Sequence, residues 1–578
     1  MCSKSRFLPL LLVLCGATVL ALIIIRPPYE KIAIVESTLG LLSILAGTYL
    51  LNGRYSRIAL SVAWVRYLVL PVVIAVSLSG LLATPPAISA FVSAVALTLL
   101  FSLSRMANIP PVHVVVFAVM LAAAIGCNMY FYYPLVNGVD TQGHLAVASA
   151  IIQRGYYSDV IKPTDNYYFP FPVTSIGTSI LSSVTRLNLE LSLMLLPGIM
   201  ILMQPLLVFL LSRIVFNDVE AAALSAFIVV TESTVTQMIS QPIPQPTAVS
   251  LLLLFLVLII RKDRSRNHMA AAFVIFTMLT ATHGAVGLVS IALVAFLVFF
   301  ERSSHKRIIL PLAAIYAAYT MLTEVVDSMV RNVRITAESI FAWIFTPTLR
   351  TGIELYGAGS NGLIFIWWGL PVSLALFSLL VHPVKRASSW VYAGLGLLGL
   401  SFVVNVIAPE LIIDRYGGLI AWLILATVGG RPLKSMARTR HQLVLLVPVI
   451  LLVSLSAVVD PALSPQYGFY HGYQNPLPTT KLDRTALDWV NGHVGRTIFA
   501  DTFCGYYLIF SRYQSGTFNR NGIVALNVRD LPSAPGPGYG LFVRLSLSTI
   551  RDNQQKDRII NVLYHNGRDL LETSDWVS

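Results

Sequence analysis

The chain has 578 residues, 56% of them apolar and 12% charged, with 40 Lys and Arg against 27 Asp and Glu for a net charge of +13. So large an apolar share with so few charges excludes an ordinary soluble globular domain and describes a polytopic membrane protein. Nor does the positive charge point to nucleic acid, because the basic residues sit in short segments between apolar stretches, where they orient membrane helices.

In chain order, apolar stretches recur near residues 8–25, 32–51, 58–83, 87–103, 112–133, 189–214, 219–238, 247–260, 269–283, 284–300, 308–327, 361–381, 390–408, 415–430 and 442–459. Most approach the roughly 17 to 25 residues that a helix needs to cross about 30 Å of hydrocarbon. Backbone groups in lipid must be satisfied within the segment, so the sequence predicts about fifteen transmembrane helices rather than a barrel. The first stretch follows Lys4 and Arg6 as a signal sequence would. Leu14 before Cys15 is nevertheless wrong for a lipoprotein site, and no small-residue cleavage site follows, so Leu8 to Ile25 reads as a retained span.

With a cytoplasmic amino terminus, Lys4/Arg6, Arg54/Arg57, Arg105, Arg213, Arg261 to Arg266, Arg302/Lys306/Arg307, Lys385/Arg386 and Arg431 to Arg440 all fall on one side. About nineteen Lys and Arg then lie inside against about nine in the opposite loops, the bias that sets orientation. The expected protein is a multi-pass protein of the cell membrane. Its parts are N-terminal transmembrane helices (1–133), a transmembrane core (134–459) with outer loops at 134–173 and 328–360, and a small extracytoplasmic α/β domain (460–578).

Long loops in a compact membrane protein are more often functional than idle. The first outer loop combines Asp140, Asp159 and Asp165 with the aromatic, proline-rich run Tyr167 to Pro172; the second holds Arg331, Arg334, Glu338, Arg350 and Glu354. After Asp460, Gly, Pro, Asn, Asp and Arg mix with short apolar runs such as Thr497 to Ala500 and Tyr506 to Phe510. A helix over Arg484 to Gly492 followed by a strand is expected, and Pro532 to Gly540 is too rich in Pro and Gly for regular structure. The four cysteines, Cys2, Cys15, Cys127 and Cys504, have neither metal-site nor redox spacing. The sequence contains no phosphate-cradling glycine loop, zinc spacing or nucleophile elbow, which disfavours nucleotide-driven chemistry. No internal repeat stands out, which weakens a secondary-transporter reading.

Within Asn137-Gly-Val-Asp140-Thr-Gln-Gly-His144, Asp140 and His144 are four apart and share a face if a helix starts at Asp140. The apolar residues of the segment after it, Leu145 to Gln153, suit the bilayer surface. A carboxylate at the membrane rim could position or deprotonate an acceptor hydroxyl, its pKa raised by partial burial beside lipid; equally, Asp140 could be the helix N-cap and His144 a surface residue. Asp414-Arg415-Tyr416 lies at the outer mouth of a late span. Arg415 could hold a phosphate in bidentate fashion, or snorkel to the interface and pair with Asp414. Glu338 and Glu354 are further carboxylates for the same cavity. Glu232 and Ser240 to Pro246 form another outer turn, with prolines that end spans. His283-Gly284, in a tight outer hairpin, could line the site or simply make the turn.

Gly138-Val-Asp140-Thr-Gln-Gly-His144-Leu-Ala, continuing to Ile152-Gln-Arg-Gly155, resembles the first outer loop of polytopic glycosyltransferases of the GT-C fold, which use polyprenyl-phosphate-linked donors. The resemblance implies acceptor activation or positioning for Asp140. Pro170-Phe-Pro172 before a span, the Gln241 to Pro246 turn and Thr282-His283-Gly284 follow in the order found in the protein-mannosyltransferase and oligosaccharyltransferase branches. Thr336-Ala-Glu338 resembles the Thr/Ser-x-Glu loop of oligosaccharyltransferase catalytic subunits, and Asp414-Arg415-Tyr416 their arginine before a late span. Ala486-Leu-Asp-Trp489, with Ala500-Asp501 and Gly505-Tyr-Tyr507, resembles the start of their outer soluble domain.

Two landmarks are missing. Ala500-Asp501-Thr502-Phe503 stands where the Trp-Trp-Asp signature would, and the second-loop acidic motif is replaced by a Gln/Pro turn. These departures argue against a standard asparagine-directed oligosaccharyltransferase and against a bound divalent metal; no cofactor is predicted. Four extra spans also precede the Asp140 loop. The resemblance therefore implies transfer of a sugar from a polyprenyl-phosphate-linked donor to a lipid-linked glycan or protein on the outer face. Asp140 would act on the acceptor, Arg415 on the donor phosphate, and His144, Glu338, Asp414 and His283 would be secondary polar groups. An oligosaccharyltransferase-like enzyme and a lipid-linked-sugar flippase or transporter are the rival readings.

Overall fold

A computed structural model of the chain describes residues 4–25, 38–46, 48, 86–106, 110–132, 139–155, 171–231, 243–260, 265–301, 306–323, 334, 338, 366–381, 385–407, 417–437, 440–463, 498–501, 523–526, 538–543, 560–565 and 569–574. Its named helices are α1 (Lys4–Ile25), α2 (Pro86–Met106), α3 (Pro111–Tyr132), α4 (Val139–Arg154), α5 (Val173–Thr185), α6 (Leu189–Phe216), α7 (Val219–Val230) and α8 (Pro244–Ile260). They continue with α9 (Arg266–Thr282), α10 (Gly284–Glu301), α11 (Lys306–Leu322), α12 (Ile366–Val381), α13 (Lys385–Ile407), α14 (Leu419–Met436) and α15 (Arg440–Leu463). Strands β1 (Ile498–Asp501), β2 (Ile523–Leu526), β3 (Gly538–Val543), β4 (Ile560–His565) and β5 (Asp569–Ser574) complete the order.

Most predicted apolar stretches fall on these helices; the stretch near 58–83 lies outside the described residues. Helix α6, 28 residues long, is long and apolar enough to cross a membrane. Helix α14 runs on to Met436, so Arg431 and Lys434, read from the sequence as loop residues, belong to its last turns. The chain divides into two units, one of Met1–Met129, Ile199–Ile239 and Pro244–Gly472, the other of Tyr130–Gly198, Ser240–Ile243 and Tyr473–Ser578.

In the first unit α7 and α14 pack antiparallel, and small residues let them approach. Ser225 is their hub. Its hydroxyl donates to the Thr427 carbonyl (2.9 Å), accepts from the Gly430 N–H (3.1 Å) and lies 3.1 Å from the Ser212 hydroxyl of α6. A methyl group on Gly430 would overlap the Ala221 carbonyl oxygen and come within 2.6 Å of Ser225 N and Oγ. Where α7 starts and α14 ends, Lys434 Nζ bonds both Asp218 oxygens (3.0 and 2.8 Å) and reaches Glu220 Oε2 at 2.7 Å. Asp218 is also the N-cap of α7, accepting from the N–H groups of Glu220 and Ala221. Burial alone would raise its pKa, but Lys434 and these two amides hold it below the usual carboxylate range.

Helices α10 and α13 are likewise antiparallel. Ser389 Oγ bonds the Phe300 carbonyl at 3.4 Å, the Tyr392 ring lies 5.5 Å from that of Phe300, and Gly396 faces Phe296. Gly394 sets α13 against Ile424 and Leu425 of α14. The starts of α7 and α13 and the ends of α10 and α14 therefore share one end of this unit. Lys385, Arg386, Arg431 and Lys434 belong to it, and α9, α11 and α15, which set out from it, begin with Arg266, Lys306/Arg307 and Arg440. At the opposite end stand the start of α8, the α9–α10 turn and the start of α14. Among the described residues of these helices, Lys and Arg thus gather at one end.

This unit buries an apolar core that includes Trp390, Trp422, Phe227, Phe255 and Phe276, and it also buries hydroxyls while leaving large apolar side chains exposed. Ser93, Ser225, Thr280, Ser290, Ser373 and Thr427 are buried, whereas Phe299, Leu310, Met321, Leu322 and Val444 are exposed. Serine and threonine hydroxyls that bond carbonyls of neighbouring helices, such as Ser250 to Met200 of α6 (2.6 Å) and Ser373 to Thr38 (2.8 Å), suit helices joined within lipid.

In the second unit, α4 and α5 run side by side and parallel, and the strands form one sheet in the order β2-β1-β3-β5-β4. Strand β1 pairs in parallel with β2 and β3, while β5 pairs antiparallel with β3 and β4. Strand β1 covers the apolar run expected to form a strand. The helix expected over 484–492 lies outside the described residues. One expectation needs correction: Gly538-Tyr-Gly540, placed from the sequence in irregular chain, opens β3 in the centre of the sheet. Pairing on both edges offsets the entropic penalty of glycine in a strand, and a missing side chain admits close neighbours.

Candidate functional site

Helix α4 starts at Val139, so Asp140 stands inside its first turn and His144 follows one turn later. A carboxylate in that first turn is favoured by the helix dipole. His144 is fully buried, with Nδ1 3.2 Å from Ser175 Oγ of α5, and one turn further along both helices Ser179 Oγ donates to the Ala148 carbonyl at 3.0 Å. Two contacts at the same sequence offset fix the parallel register of the two helices. Burial pushes the His144 pKa down to about 3, so the imidazole is neutral at physiological pH, and its tautomer decides which partner donates to the other.

One alternative for this segment is corrected: His144 is an interior residue, not a surface one. Each position from His144 to Ala150 is buried, and of the apolar residues expected to suit the bilayer surface Ile151 is half-buried and Ile152 exposed. Small residues explain the burial: Gly143, Ala146, Ala148, Ser149 and Ala150 leave room for neighbours to close around the helix.

Helix α5 shows how the sequence builds this contact. Its buried residues are Thr174, Ser175, Thr178 and Ser179, a hydroxyl stripe at helical spacing turned inward, while Ile180 and Val184 are exposed. A helix in water would turn the other way. Pro172 precedes its first turn, and Arg186 in the left-handed region ends it, donating its N–H to the Ser182 carbonyl at 2.8 Å.

The remaining candidates belong to the first unit. His283 forms the one-residue turn between α9 and α10: its N–H bonds the Leu279 carbonyl (3.0 Å) and its carbonyl accepts from Gly287 (3.1 Å). The tight hairpin expected there is present, and the side chain is half-buried. Glu338 is exposed and ion-paired with Arg334 at 2.8 Å, one helical turn away, so its charge is already engaged. Asp414, Arg415, Glu354 and Glu232 lie outside the described residues, as does the Asp140 side chain. Among the described residues no three His, Cys, Asp or Glu side chains gather to hold a metal ion.

Sequence reasoning does not single out Ser175 or Ser179, and it marks Gln245 only as part of the Ser240 to Pro246 turn. Gln245, within the first turn of α8, is 1% exposed, and neither atom of its side-chain amide has a hydrogen-bond partner; the hydroxyl of Thr247, 6% exposed, has none either. Prolines on both sides of Gln245 make the segment look like a simple chain reversal.

No protein-family model matches the chain, and no curated protein matches it. Among solved structures, the chain is similar to ArnT from Cupriavidus metallidurans bound to undecaprenyl phosphate, at 13% identity and a TM-score of 0.47, over 79% of this chain and 97% of that one. It is also similar to the archaeal oligosaccharyltransferase AglB from Archaeoglobus fulgidus in complex with an inhibitory peptide and a dolichol-phosphate, at 13% identity and a TM-score of 0.44, over 74% of this chain and 69% of that one. An apo form of the Archaeoglobus fulgidus oligosaccharyltransferase aligns at 11% identity and a TM-score of 0.40, over 72% of this chain and 65% of that one.

Proposed function

We propose that this chain is an integral-membrane glycosyltransferase. It transfers a sugar from a polyprenyl-phosphate-linked donor to a lipid-linked glycan or protein acceptor at the outer face of the cell membrane. The observation that carries the reading is the fixed start of α4: an interior histidine and two serines of α5 hold the helix whose first turn bears Asp140. A general base or acceptor-positioning carboxylate needs such a rigid mount, because proton transfer requires hydrogen-bond distance at the moment of reaction.

Asp140 orients the acceptor hydroxyl and draws off its proton as the acceptor oxygen attacks the anomeric carbon of the donor sugar. The bond from that carbon to the phosphate oxygen breaks, and the lipid phosphate leaves with the electron pair. Arg415, just before α14, stabilises the leaving phosphate by bidentate hydrogen bonding. His144, uncharged and interior, positions the α4 turn and takes no part in proton transfer. His283 and Asp414 act as further polar groups, while Glu338, paired with Arg334, contributes least.

The test is transfer of radiolabelled sugar from polyprenyl-phosphate donors by the full-length protein in proteoliposomes, with products identified by mass spectrometry. Asp140→Asn should reduce transfer by about 100-fold or more, a general-base effect, while leaving insertion and thermal stability near wild type. Full transfer by that variant removes the assignment. Release of a whole glycan to protein would favour the oligosaccharyltransferase-like reading, and movement of labelled lipid across the bilayer without transfer would favour a flippase.

A further inference from the structure

The amide of Gln245 and the hydroxyl of Thr247 have no part in the chemistry described so far. Both side chains are at least nine-tenths buried, both lie in the first turn of the 17-residue helix α8, and none of their polar atoms has a hydrogen-bond partner. Buried polar atoms without partners are destabilising, and helix formation did not require these side chains: Pro244 favours a helix start, and neither Pro244 nor Pro246 has an N–H for a side chain to cap. Residues that serve only to start a helix at this place could be apolar. Gln245 and Thr247 are therefore candidates for contact with a ligand.

Their position agrees. Helices α8 and α9 form an antiparallel hairpin, with the Phe255 and Phe276 rings 5.6 Å apart, so the start of α8 is level with the α9–α10 turn at His283. Among the described helices, that is the end of the unit opposite Lys385, Arg386, Arg431 and Lys434, and the end at which α14 starts. Gln204 of α6 donates to the Pro246 carbonyl at 3.3 Å, and Ser250 donates to the same carbonyl at 2.9 Å. The backbone of the turn is thus anchored while the two side chains keep their hydrogen-bonding capacity.

The chemistry of the pair selects the ligand. An amide offers two N–H donors and a carbonyl acceptor, and a threonine hydroxyl can do either. A phosphate diester or dianion only accepts, so it would leave the Gln245 oxygen without a donor. A sugar presents hydroxyls that both donate and accept, and adjacent hydroxyls match the two ends of one amide. We propose that Gln245 and Thr247 bind the hydroxyls of the transferred sugar and thereby discriminate among donor sugars, a role that rests on the glycosyltransferase reading. A neutral pair suits such recognition, because it binds the sugar without competing with Arg415 for the phosphate.

The experiment measures binding of undecaprenyl phosphate and of its glucosyl, mannosyl, galactosyl and arabinosyl esters to the full-length protein in detergent, by intrinsic fluorescence, for wild type, Gln245→Leu and Thr247→Val. Wild type should bind at least one sugar ester more tightly than the bare lipid phosphate. Gln245→Leu should lower that ester's affinity about tenfold, the effect of one or two lost hydrogen bonds, and Thr247→Val about threefold, with bare-lipid affinity unchanged. Gln245→Asn, which keeps the amide at shorter reach, should change the preferred ester. The inference is overturned if Gln245→Leu keeps the ratio of ester to bare-lipid affinity, including the case in which the variant only becomes more stable because an ordered water was lost. If Gln245→Leu does not fold, Gln245→Asn and Thr247→Val decide by the same ratio. A wild type that transfers sugar while these ratios stay fixed refutes this site alone. A wild type that neither binds the esters nor transfers sugar refutes the enzyme reading itself.

Discussion

Replacing Gly430 with alanine tests the α7–α14 contact directly. The added methyl would overlap the Ala221 carbonyl and approach Ser225 N and Oγ to 2.6 Å, whereas real Cβ contacts essentially never fall below 3.0 Å. The helices must separate. Overpacking of this kind destabilises by about 1 to 3 kcal/mol. Separation also weakens the bonds from Gly430 N–H to Ser225 and from Ser225 to the Thr427 carbonyl, each worth about 1 kcal/mol. Alanine returns about 1 kcal/mol of helix propensity, so the net loss is about 2 to 4 kcal/mol. Thermal unfolding of the full-length protein in detergent, followed by tryptophan fluorescence, should show a midpoint lower by several degrees. Gly198→Ala and Gly399→Ala, where a methyl meets nothing within 4 Å, should be neutral or slightly stabilising in the same assay. A Gly430→Ala protein that melts with wild type, or glycine variants that behave alike at all three sites, would refute the reasoning. Ser225→Ala, which removes the hydrogen bonds without overlap, should lose about 2 kcal/mol and separates the two contributions.

Other consequences are checked by similar means. Lys434→Met should lower stability by about 1 kcal/mol, because Asp218 and Glu220 lose a partly buried partner. The Asp218 pKa is depressed from 3.8, so its stabilising effect is present above that value and lost as pH falls through the lower folded value. The Lys434 pKa is raised from 10.5, so its effect is present below 10.5 and lost as pH climbs through the higher folded value. His144 has a folded pKa of about 3 against 6.5 ordinarily, so stability should fall by about 1.4 kcal/mol per pH unit between roughly pH 6.5 and pH 3. His144→Gln should flatten that part of a melting-versus-pH curve, and an unchanged slope would show that other groups cause it. Ser175→Ala should lower kcat for transfer more than it raises KM, with partial recovery in Ser175→Thr; equal losses in every variant would mark Ser175 as merely structural.

How much of the fold and site is legible in the sequence depends on the range of the interactions. The α9–α10 turn is readable because Thr282-His283-Gly284 interrupts an apolar run with a residue that lets α10 begin at once. The start of α4 is readable to within a residue from the break in apolar character before Asp140. The segregation of basic residues is readable because orientation depends on their count between spans, whatever their contacts. His144 and Ser175 are 31 residues apart, and Asp218 and Lys434 are 216 apart. No local pattern announces such pairs, so Lys434 looks like a topology signal alone. The hydroxyl stripe of α5 also escapes notice, since serines and threonines at helical spacing read as polar surface until the environment of the helix is known. Gly538 to Gly540 misleads for a related reason: local propensity disfavours glycine in a strand, and partners on both sides override it.

The parallel course of α4 and α5 has a further consequence for the chain between them. With His144 beside Ser175 and Ala148 beside Ser179, Val173 is level with residue 142, twelve positions back from the end of α4 at Arg154, or roughly 18 Å along the axis. Seventeen residues, 156–172, join the two helices, whereas about six extended residues would cover that distance. The described end of this connection, Phe171, buried, and Pro172, stands at the level of Asp140 and Thr141. Connection length therefore leaves the register of α4 and α5 to their own contacts, and the aromatic-proline step precedes α5 beside the turn that bears the carboxylate. Shortening the connection by four residues should be tolerated, whereas removing twelve should pull α5 out of register and strand His144 without Ser175.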